Sequence, residues 1–190
     1  MEKFAVLSIL AVSFFATISA QIIVPGKCQN VTVEQNFDTP AYLGRWYEYQ
    51  RYFTFFQPDG KCVSATYTNI NGTFFEIRNY LVNANTSEVE IILGYGYQSS
   101  DTDEGTLLIN FPTTGQEDGD YWVLGTDYSS YSVVWSCSNV GGQSLQLAWL
   151  LTRERVPSNE TLSAAQVIID ANGLKGNFLL TDQTNCPLDP

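Results

Sequence analysis

Short runs of alternating apolar and polar residues fill the chain from position 42 to position 151. Leu107, Ile109 and Phe111 share one face of one run, and the odd-numbered positions of Leu145–Leu151 share one face of another. A period of two residues predicts strands with one buried face, and Gly, Pro, Asn and Asp clusters between the runs predict turns. The predicted strands are Arg45–Tyr52, Val63–Asn69, Phe74–Val82, Val89–Gln98, Thr106–Phe111, Tyr121–Thr126, Ser132–Cys137 and Leu145–Thr152.

These eight strands predict an all-β antiparallel fold. An up-and-down meander of eight strands closes into a barrel that holds one small ligand, and a β-sandwich is the competing architecture. Two of the predicted turns are Pro112–Gly119 and Asn139–Gly142, and a short extra strand is predicted within residues 176–181.

One helix is predicted after the last long strand. Pro157–Glu160 carries helix-start residues, and Gly173 is suited to follow the helix end. Leu162, Ala165 and Ile169 recur on one face between them. We therefore expect a C-terminal α-helix that packs this face against the outside of the sheet.

The first 20 residues carry an apolar run, Phe4–Ile18, preceded by Lys3 and followed by small residues up to Ala20. This pattern is typical of a secretory signal peptide cut before Gln21. The run is short for a membrane span, which needs about 20 residues, and a signal-anchor is the alternative. The predicted organisation is a signal peptide at 1–20 and a single domain at 21–190.

Charge and composition exclude several function classes. The 190 residues include 9 Lys and Arg against 20 Asp and Glu, so the net charge is −11, with or without the signal peptide. Such a surface repels nucleic acids and anionic lipids, so we expect no nucleic-acid partner and no stable membrane insertion. The sequence has no His, which excludes Ser-His and Cys-His catalysis and most zinc chemistry. We predict no metal and no cofactor.

The cysteines and the glycosylation sequons both indicate an extracellular protein. The cysteines stand far apart without a C-x-x-C pair, which indicates two disulfides and leaves three possible pairings open. They are Cys28, Cys62, Cys137 and Cys186. Asn-x-Ser/Thr sequons are acceptors for N-glycans. They begin at Asn30, Asn71, Asn85 and Asn159.

Three segments, in this order, resemble the motifs of one family. Gly44-Arg45-Trp46 matches a G-x-W that opens the first barrel strand, Thr126-Asp127-Tyr128 resembles the turn motif T-D-Y, and Arg153 resembles the arginine that closes the last strand. Because the three motifs fall on the predicted strands and are followed by one helix, the chain is identified as a member of the lipocalin family. This resemblance implies the barrel rather than the sandwich.

The resemblance extends to the apolipoprotein D and Lazarillo branch of the lipocalins, from Cys28 to Pro187. Residues 56–62, 121–128 and 181–187 all resemble that branch, and Gln50–Phe53 is most similar to insect members, so we expect an insect or other arthropod source. The cysteine positions also match, which implies the pairs Cys28–Cys137 and Cys62–Cys186.

The resemblance implies scaffold roles for the motif residues. In the lipocalin arrangement Trp46 plugs the closed end of the barrel and Arg153 lies across its face, a cation–π contact of about 0.5–2 kcal/mol. Asp127 either accepts backbone N–H bonds in its turn or serves the Arg153 guanidinium. The residues interpreted as scaffold are Gly44, Trp46, Thr126, Asp127, Tyr128 and Arg153.

Alternation identifies candidate ligand-binding residues. Trp149 and Leu147 lie on the same strand face as Arg153, which places them inside the barrel. If Cys62 points outward to its partner, Ala65 and Tyr67 point inward, where the family carries pocket residues.

Glu48 shares the strand face of Trp46 and is an unusual inward carboxylate. It is predicted either to accept a hydrogen bond from a ligand hydroxyl or amide, or to pair with Arg153 or a tyrosine near the barrel floor. Phe53–Phe56 and Tyr95–Tyr97 stand near strand ends, where they form either a portal or docking patch or a cover for the barrel rim.

These observations predict a secreted binding and transport protein that encloses one small hydrophobic molecule: a lipid, a fatty acid, or a sterol- or retinoid-like compound. A bilin pigment is the alternative. The family resemblance adds lipid handling, protection against oxidative stress, and a cell-surface receptor or lipoprotein particle as a further partner. A lipocalin-type isomerase is the enzymatic alternative, but it needs a free cavity thiol, so we predict that the protein is not an enzyme.

Overall fold

The computed structural model describes residues 22–99 and 102–188, and the predicted signal peptide at 1–20 lies outside them. These residues form a closed antiparallel barrel of eight strands, with two short extra strands and a C-terminal helix outside it. The barrel strands are β2 (Gly44–Arg51), β3 (Gly60–Asn69), β4 (Phe74–Asn83), β5 (Val89–Gln98), β6 (Thr106–Phe111), β7 (Gln116–Thr126), β8 (Tyr131–Val140) and β9 (Gln143–Thr152). The other elements are β1 (Ile22–Pro25), α1 (Thr39–Tyr42), a 3-10 turn (Pro112–Thr114), α2 (Asn159–Ala171) and β10 (Leu179–Leu180).

The strand order confirms the predicted up-and-down barrel over the sandwich. Each barrel strand pairs with the next along the chain, and β9 returns to pair with β2. A register shift between Glu48 and Gln50 marks a β-bulge at Tyr49 in this closing pair. Because a bulge inserts one extra residue, the side chains of Glu48 and Arg51 are both buried although they stand three positions apart.

Two predicted turns are shorter in the structure than the sequence indicated. β7 begins at Gln116, so the prediction of a turn over Pro112–Gly119 is wrong beyond Gly115. Asp118 has φ +44°, a conformation more typical of turns than of strands. Its N–H donates to Asn110 Oδ1 at 3.0 Å, and this bond keeps Asp118 within the β6–β7 strand pair. β8 extends to Val140, which leaves a two-residue turn between β8 and β9.

The helix α2 packs on the barrel as predicted. Ala165 and Ile169 are buried, and Leu162 packs at the edge of the same cluster. The close approach depends on Gly125, because a Cβ there would lie 2.9 Å from the Ile168 side chain. Within residues 22–99 and 102–188, no helix is both long enough and apolar enough to cross a membrane.

The C-terminal tail closes a seam in the barrel wall. β2 and β3 pair only over residues 44–47 of β2. Farther along, Gln183 Nε2 donates to the carbonyl oxygens of Glu48 at 3.0 Å and Val63 at 2.8 Å. The Cys62–Cys186 disulfide fixes the tail in this position. The tail, residues 179–186, is therefore part of the barrel wall; we call this region the tail seam.

Candidate functional site

The barrel encloses a cavity of about 490 Å³, within the range of about 300–1,000 Å³ that is usual for small-molecule sites. Its mouth lies at the end of the barrel where Phe55, Phe56 and Gln57 of the β2–β3 loop meet Thr114 and Gly115 of the β6–β7 loop. The apolar side chains that line its walls are Val63, Ala65, Ile77, Leu81, Ile92, Ile109, Phe111, Leu147, Trp149 and Leu151.

All five residues predicted to bind ligand line this cavity. Ala65 and Tyr67 come from β3, Leu147 and Trp149 from β9, and Glu48 from β2. The two-residue period of β3 and β9 explains why alternation found the first four. The structure thus brings the predicted residues together, and their contact with a ligand stays a prediction.

Three buried tyrosines lie at the inner end of the cavity: Tyr67 and Tyr121 line it, and Tyr42 packs against Tyr67 behind them. We call these three residues the tyrosine floor. The Tyr121 hydroxyl is hydrogen-bonded to the hydroxyls of Tyr67 at 2.8 Å and Tyr42 at 3.0 Å. Tyr42 is also bonded to the Ser132 hydroxyl at 2.9 Å. Burial raises the pKa of Tyr42 to about 12 and the pKa values of Tyr67 and Tyr121 well above the ordinary value. These phenols are therefore neutral hydrogen-bonding groups at physiological pH.

Sequence reasoning missed two members of the tyrosine floor. Tyr121 lies two positions before the buried Val123 and shares its face of β7, so the strand period could have placed Tyr121 inside the barrel. Tyr42 belongs to the short helix α1 before the barrel, so the two-residue period of the strands does not predict its position.

Below the tyrosine floor, Trp46 and Arg153 seal the closed end of the barrel. Trp46 is fully buried, and the Arg153 guanidinium carbon lies 3.6 Å from the centre of its ring. Arg153 also donates five hydrogen bonds to backbone carbonyls, four of them within residues 41–45 and one at Tyr128. Gly44 has φ +93°, and a Cβ there would lie 3.2 Å from an Arg153 nitrogen, so glycine suits this position for two reasons.

The T-D-Y motif forms the turn between β7 and β8. Asp127 Oδ1 accepts the backbone N–H groups of Ser130 at 2.7 Å and Tyr131 at 3.1 Å, while the Thr126 hydroxyl donates to the Tyr131 carbonyl at 2.6 Å. Partial burial acts to raise the pKa of Asp127, but hydrogen bonds from the Ser130 hydroxyl and from the backbone N–H groups of Tyr131, Ser130 and Ser129 outweigh it and lower the pKa. Of the two predicted roles for Asp127, the structure shows the acceptor of backbone N–H bonds. Tyr128 accepts the Asp38 N–H at its hydroxyl, 3.1 Å away.

Glu48 has different partners from those predicted. Its carboxylate lies 3.2 Å from Arg51 Nε, accepts Gln57 Nε2 at 3.2 Å, and accepts the Thr181 hydroxyl. The predicted pairing with Arg153 or a tyrosine is wrong, because the bulge at Tyr49 turns Arg51 toward Glu48. Burial raises the pKa of the Glu48 carboxyl, while these partners act to lower it.

The Glu48 cluster fastens the loop that covers the mouth. Arg51 donates to the carbonyl oxygens of Tyr52 at 3.2 Å and Gln57 at 2.6 Å. Phe55 and Phe56 project from this loop, are 66% and 51% exposed, and lie with ring centres 5.7 Å apart. They line the mouth, so the portal interpretation of this aromatic segment fits its position.

The charge of the lining is negative. Glu48, Glu90 and Asp120 contribute to the cavity, and none of the described lining residues is Lys or Arg. Burial raises the pKa of Asp120. Among the described residues, no cluster of acidic or cysteine side chains could hold a metal ion.

The cysteines pair as the family resemblance implied, Cys28 with Cys137 and Cys62 with Cys186. Since these are all four cysteines of the sequence, the cavity has no free thiol.

The four sequon asparagines all lie on the surface, and Asn159 is the first residue of α2. The sequons that begin at Asn71 and Asn85 fall in the turns β3–β4 and β4–β5.

Comparison with known proteins agrees with this geometry. The family model described as the lipocalin / cytosolic fatty-acid binding protein family matches residues 43–185. Apolipoprotein D from Cavia porcellus is 34% identical over 164 residues, which are 85% of this chain and 85% of that protein. Lazarillo protein from Schistocerca americana is 30% identical over 170 residues, 87% of this chain and 78% of that protein.

Solved structures share the fold. Insecticyanin from Manduca sexta superposes with a TM-score of 0.75 at 24% identity, covering 87% of this chain and 90% of that chain. Lobster apocrustacyanin A1 superposes with a TM-score of 0.74 at 23% identity, covering 87% of this chain and 93% of that chain.

Proposed function

Because this chain belongs to the lipocalin family, with apolipoprotein D and Lazarillo protein among its homologues, we propose that it is a secreted carrier of one small hydrophobic ligand. The observation that carries the proposal is the apolar-walled cavity of about 490 Å³ between the tyrosine floor and the aromatic mouth. Two disulfides, four surface sequons and the predicted signal peptide support the extracellular location.

The lining supports a neutral ligand over an anionic one. A carboxylate inside the barrel would meet Glu48 and Glu90 without a free cation, since Arg51 is already paired with Glu48. Desolvating a charge without a partner is costly, so a fatty acid or a bilin with its carboxylates is disfavoured. We therefore propose a sterol- or retinoid-like alcohol, or another neutral lipid.

The tyrosine floor supplies a polar contact for such a ligand. Tyr67 lines the cavity, and its hydroxyl has one protein partner, Tyr121, among the described residues. A hydroxyl has one donor and two acceptor sites, so Tyr67 retains hydrogen-bonding capacity toward the cavity. We propose that the polar end of the ligand binds there while Trp149 covers its apolar body.

The cavity does not support the isomerase alternative. That chemistry needs a nucleophilic thiolate, and all four cysteines are in disulfides. We propose that the protein binds its ligand without transforming it.

The first test identifies the ligand class. Organic extracts of the natively purified protein are analysed by mass spectrometry, and an absorption spectrum of the protein reveals any bilin. Retinol and retinoic acid are then titrated by fluorescence, because they share a skeleton and differ in charge. We expect retinol to bind at least about tenfold more tightly, equivalent to about 1.4 kcal/mol. Equal affinities would refute the neutral-ligand proposal, and absence of any apolar binder would refute the carrier function.

The second test locates the binding energy. Trp149→Ala removes a large aromatic wall and should weaken retinol binding by about 1–3 kcal/mol. Trp122→Ala is the matched control, because Trp122 packs on the outer cluster beneath α2. If Trp149→Ala binds like the wild type, the assignment of Trp149 to the ligand site is wrong.

A further inference from the structure

The outer face of β5 carries an unusual stripe of exposed apolar side chains. Val89, Ile91, Leu93 and Tyr95 occupy alternate positions and are 50%, 46%, 51% and 37% exposed. The outward positions of a barrel strand are ordinarily polar unless another element covers them. Neither α2 nor the C-terminal tail reaches this side, since α2 contacts β7 and β8 and β10 contacts β2. We call these four residues the β5 stripe.

An aromatic cluster continues the β5 stripe toward the closed end of the barrel. The Phe74 ring lies 6.1 Å from the Tyr95 ring and 5.3 Å from the Tyr97 ring, measured between centres. Phe74 is 36% exposed, and Ile70 beside it is 58% exposed. A contiguous apolar surface of this kind on a soluble domain indicates something that covers it.

Two glycosylation sequons bracket this surface. Asn71 lies in the turn that leads into Phe74, and Asn85 lies in the turn that leads into Val89. We propose that N-linked glycans on Asn71 and Asn85 fold back over the aromatic cluster and the β5 stripe and are the covering of this face. The occupant is thus the oligosaccharide of the chain itself, attached at both ends of the strand.

The geometry at Asn71 places the start of its glycan beside the aromatic cluster. Asn71 Oδ1 accepts the backbone N–H groups of Thr73 at 3.1 Å and Phe74 at 2.9 Å. These bonds fix the side-chain amide beside Phe74, and Nδ2, the atom that carries the sugar, makes no hydrogen bond within the described residues. The first sugar therefore starts within a few ångströms of the Phe74 backbone.

The surface beside the cluster suits a carbohydrate. Phe74, Tyr95 and Tyr97 border an outer groove whose other wall carries Asn110 and Asp118. Tyr97 donates its hydroxyl to Asp118 Oδ1 at 2.7 Å. Aromatic faces pack against the C–H groups of a sugar ring, while the exposed Asp118 carboxylate can accept hydrogen bonds from its hydroxyls.

The Asn85 glycan covers the other end. Val82 pairs with Val89 at the base of the β4–β5 turn, so Asn85 lies at the first residue of the stripe. From Val89 to Tyr97 the strand spans about 26 Å, at about 3.3 Å per residue. The Asn85 glycan covers the Val89 end of this length, and the Asn71 glycan covers the Tyr97 end.

The experiment uses the full-length protein secreted from insect cells. Thr73→Ala abolishes the Asn71 sequon but keeps the Asn71 hydrogen bonds to the backbone, and Thr73→Ser is the matched control because it keeps the sequon. Asn85→Gln removes the second site. Asn159→Gln removes the sequon on α2, which packs on β7 and β8 away from the β5 stripe. Glycopeptide mass spectrometry measures occupancy, and size-exclusion chromatography with light scattering measures self-association.

We expect occupied Asn71 and Asn85, and nuclear Overhauser contacts between the acetyl methyl of the Asn71-linked sugar and the Phe74 ring. The Thr73→Ala/Asn85→Gln variant should self-associate at about tenfold lower concentration than Thr73→Ser or Asn159→Gln, because its apolar face is bare. Adding Leu93→Lys should restore the monomer.

Three results would overturn the proposal. The first is an unglycosylated Asn71. The second is a wild-type glycoprotein that is already dimeric through this face. The third is binding of the wild type, but not of its Leu93→Lys variant, to phosphatidylcholine vesicles, which would assign the stripe to lipid.

Discussion

Replacing Arg153 with Lys should destabilise the barrel although the charge is kept. Arg153 combines a stack on Trp46 with five bonds to backbone carbonyls. A Lys ammonium has three donors and no planar face, so at least two of these five bonds are lost. At about 1.5 kcal/mol for each hydrogen bond from a charged group, the loss is about 3 kcal/mol. In a domain of this size that lowers the melting temperature by about 6–12 °C.

The assay is urea unfolding followed by tryptophan fluorescence, with thermal melts in parallel. Arg155→Lys is the matched control, since Arg155 also stacks on an aromatic ring, with 4.5 Å to the centre of Tyr47, and makes one side-chain bond to Gln183. Arg155→Lys should lower the unfolding free energy by less than about 1 kcal/mol. If Arg153→Lys costs no more than Arg155→Lys, the carbonyl contacts do not stabilise the closed end and the reasoning fails.

Three further predictions follow from the site. Trp46→Ala should lower the unfolding free energy by about 3–5 kcal/mol, measured in urea, because it empties a fully buried position; a loss below about 1 kcal/mol would contradict the sealing role. Glu48→Gln should lower the unfolding free energy by about 3–5 kcal/mol, because it leaves the Arg51 charge without its carboxylate partner. The double variant Glu48→Gln/Arg51→Met should recover most of this loss, and no recovery would show that the broken pair is not its cause. The folded state raises the pKa of Tyr42 from 10.0 to about 12. Since the unfolded chain releases this proton first, stability should fall as the pH rises from 10 toward 12. Absorbance at 295 nm should show that the tyrosines of the floor ionise only when the protein unfolds. Ionisation of all 11 tyrosines before unfolding would refute the predicted loss of stability.

The two-residue period of the strands made much of the cavity predictable. Alternation along β3 and β9 predicts Tyr67 and Trp149 in the cavity lining once Cys62 is taken to point outward and Arg153 marks the inward face of β9. Burial alone would have misled, because Ala148 and Leu150 on the outer face of β9 are more buried than Trp149. The helix covers the outer face, while the cavity leaves the inner face partly accessible.

The parts that escaped prediction depend on breaks in that period or on distant segments. The bulge at Tyr49 shifts the inward positions by one residue, so Arg51 joins Glu48 and the expected pairing of Glu48 fails. Gln183 bonds the Glu48 carbonyl from 135 positions away, a contact without a local sequence signal. The cysteine pairing was predictable only through the family resemblance, since spacing left three pairings open.

From the tail seam we expect retention of the proposed ligand to depend on redox conditions. Where β2 and β3 do not pair, the cavity is separated from solvent by a segment held covalently through Cys62–Cys186. We expect reduction of this bond to loosen the tail, which would then be held by hydrogen bonds alone, and to open a lateral exit, while reduction of Cys28–Cys137 should leave this part of the wall intact. The residence time of the ligand should therefore shorten in a reducing compartment. Stopped-flow release that is unchanged by Cys62→Ser/Cys186→Ser would show that the cargo leaves through the mouth alone.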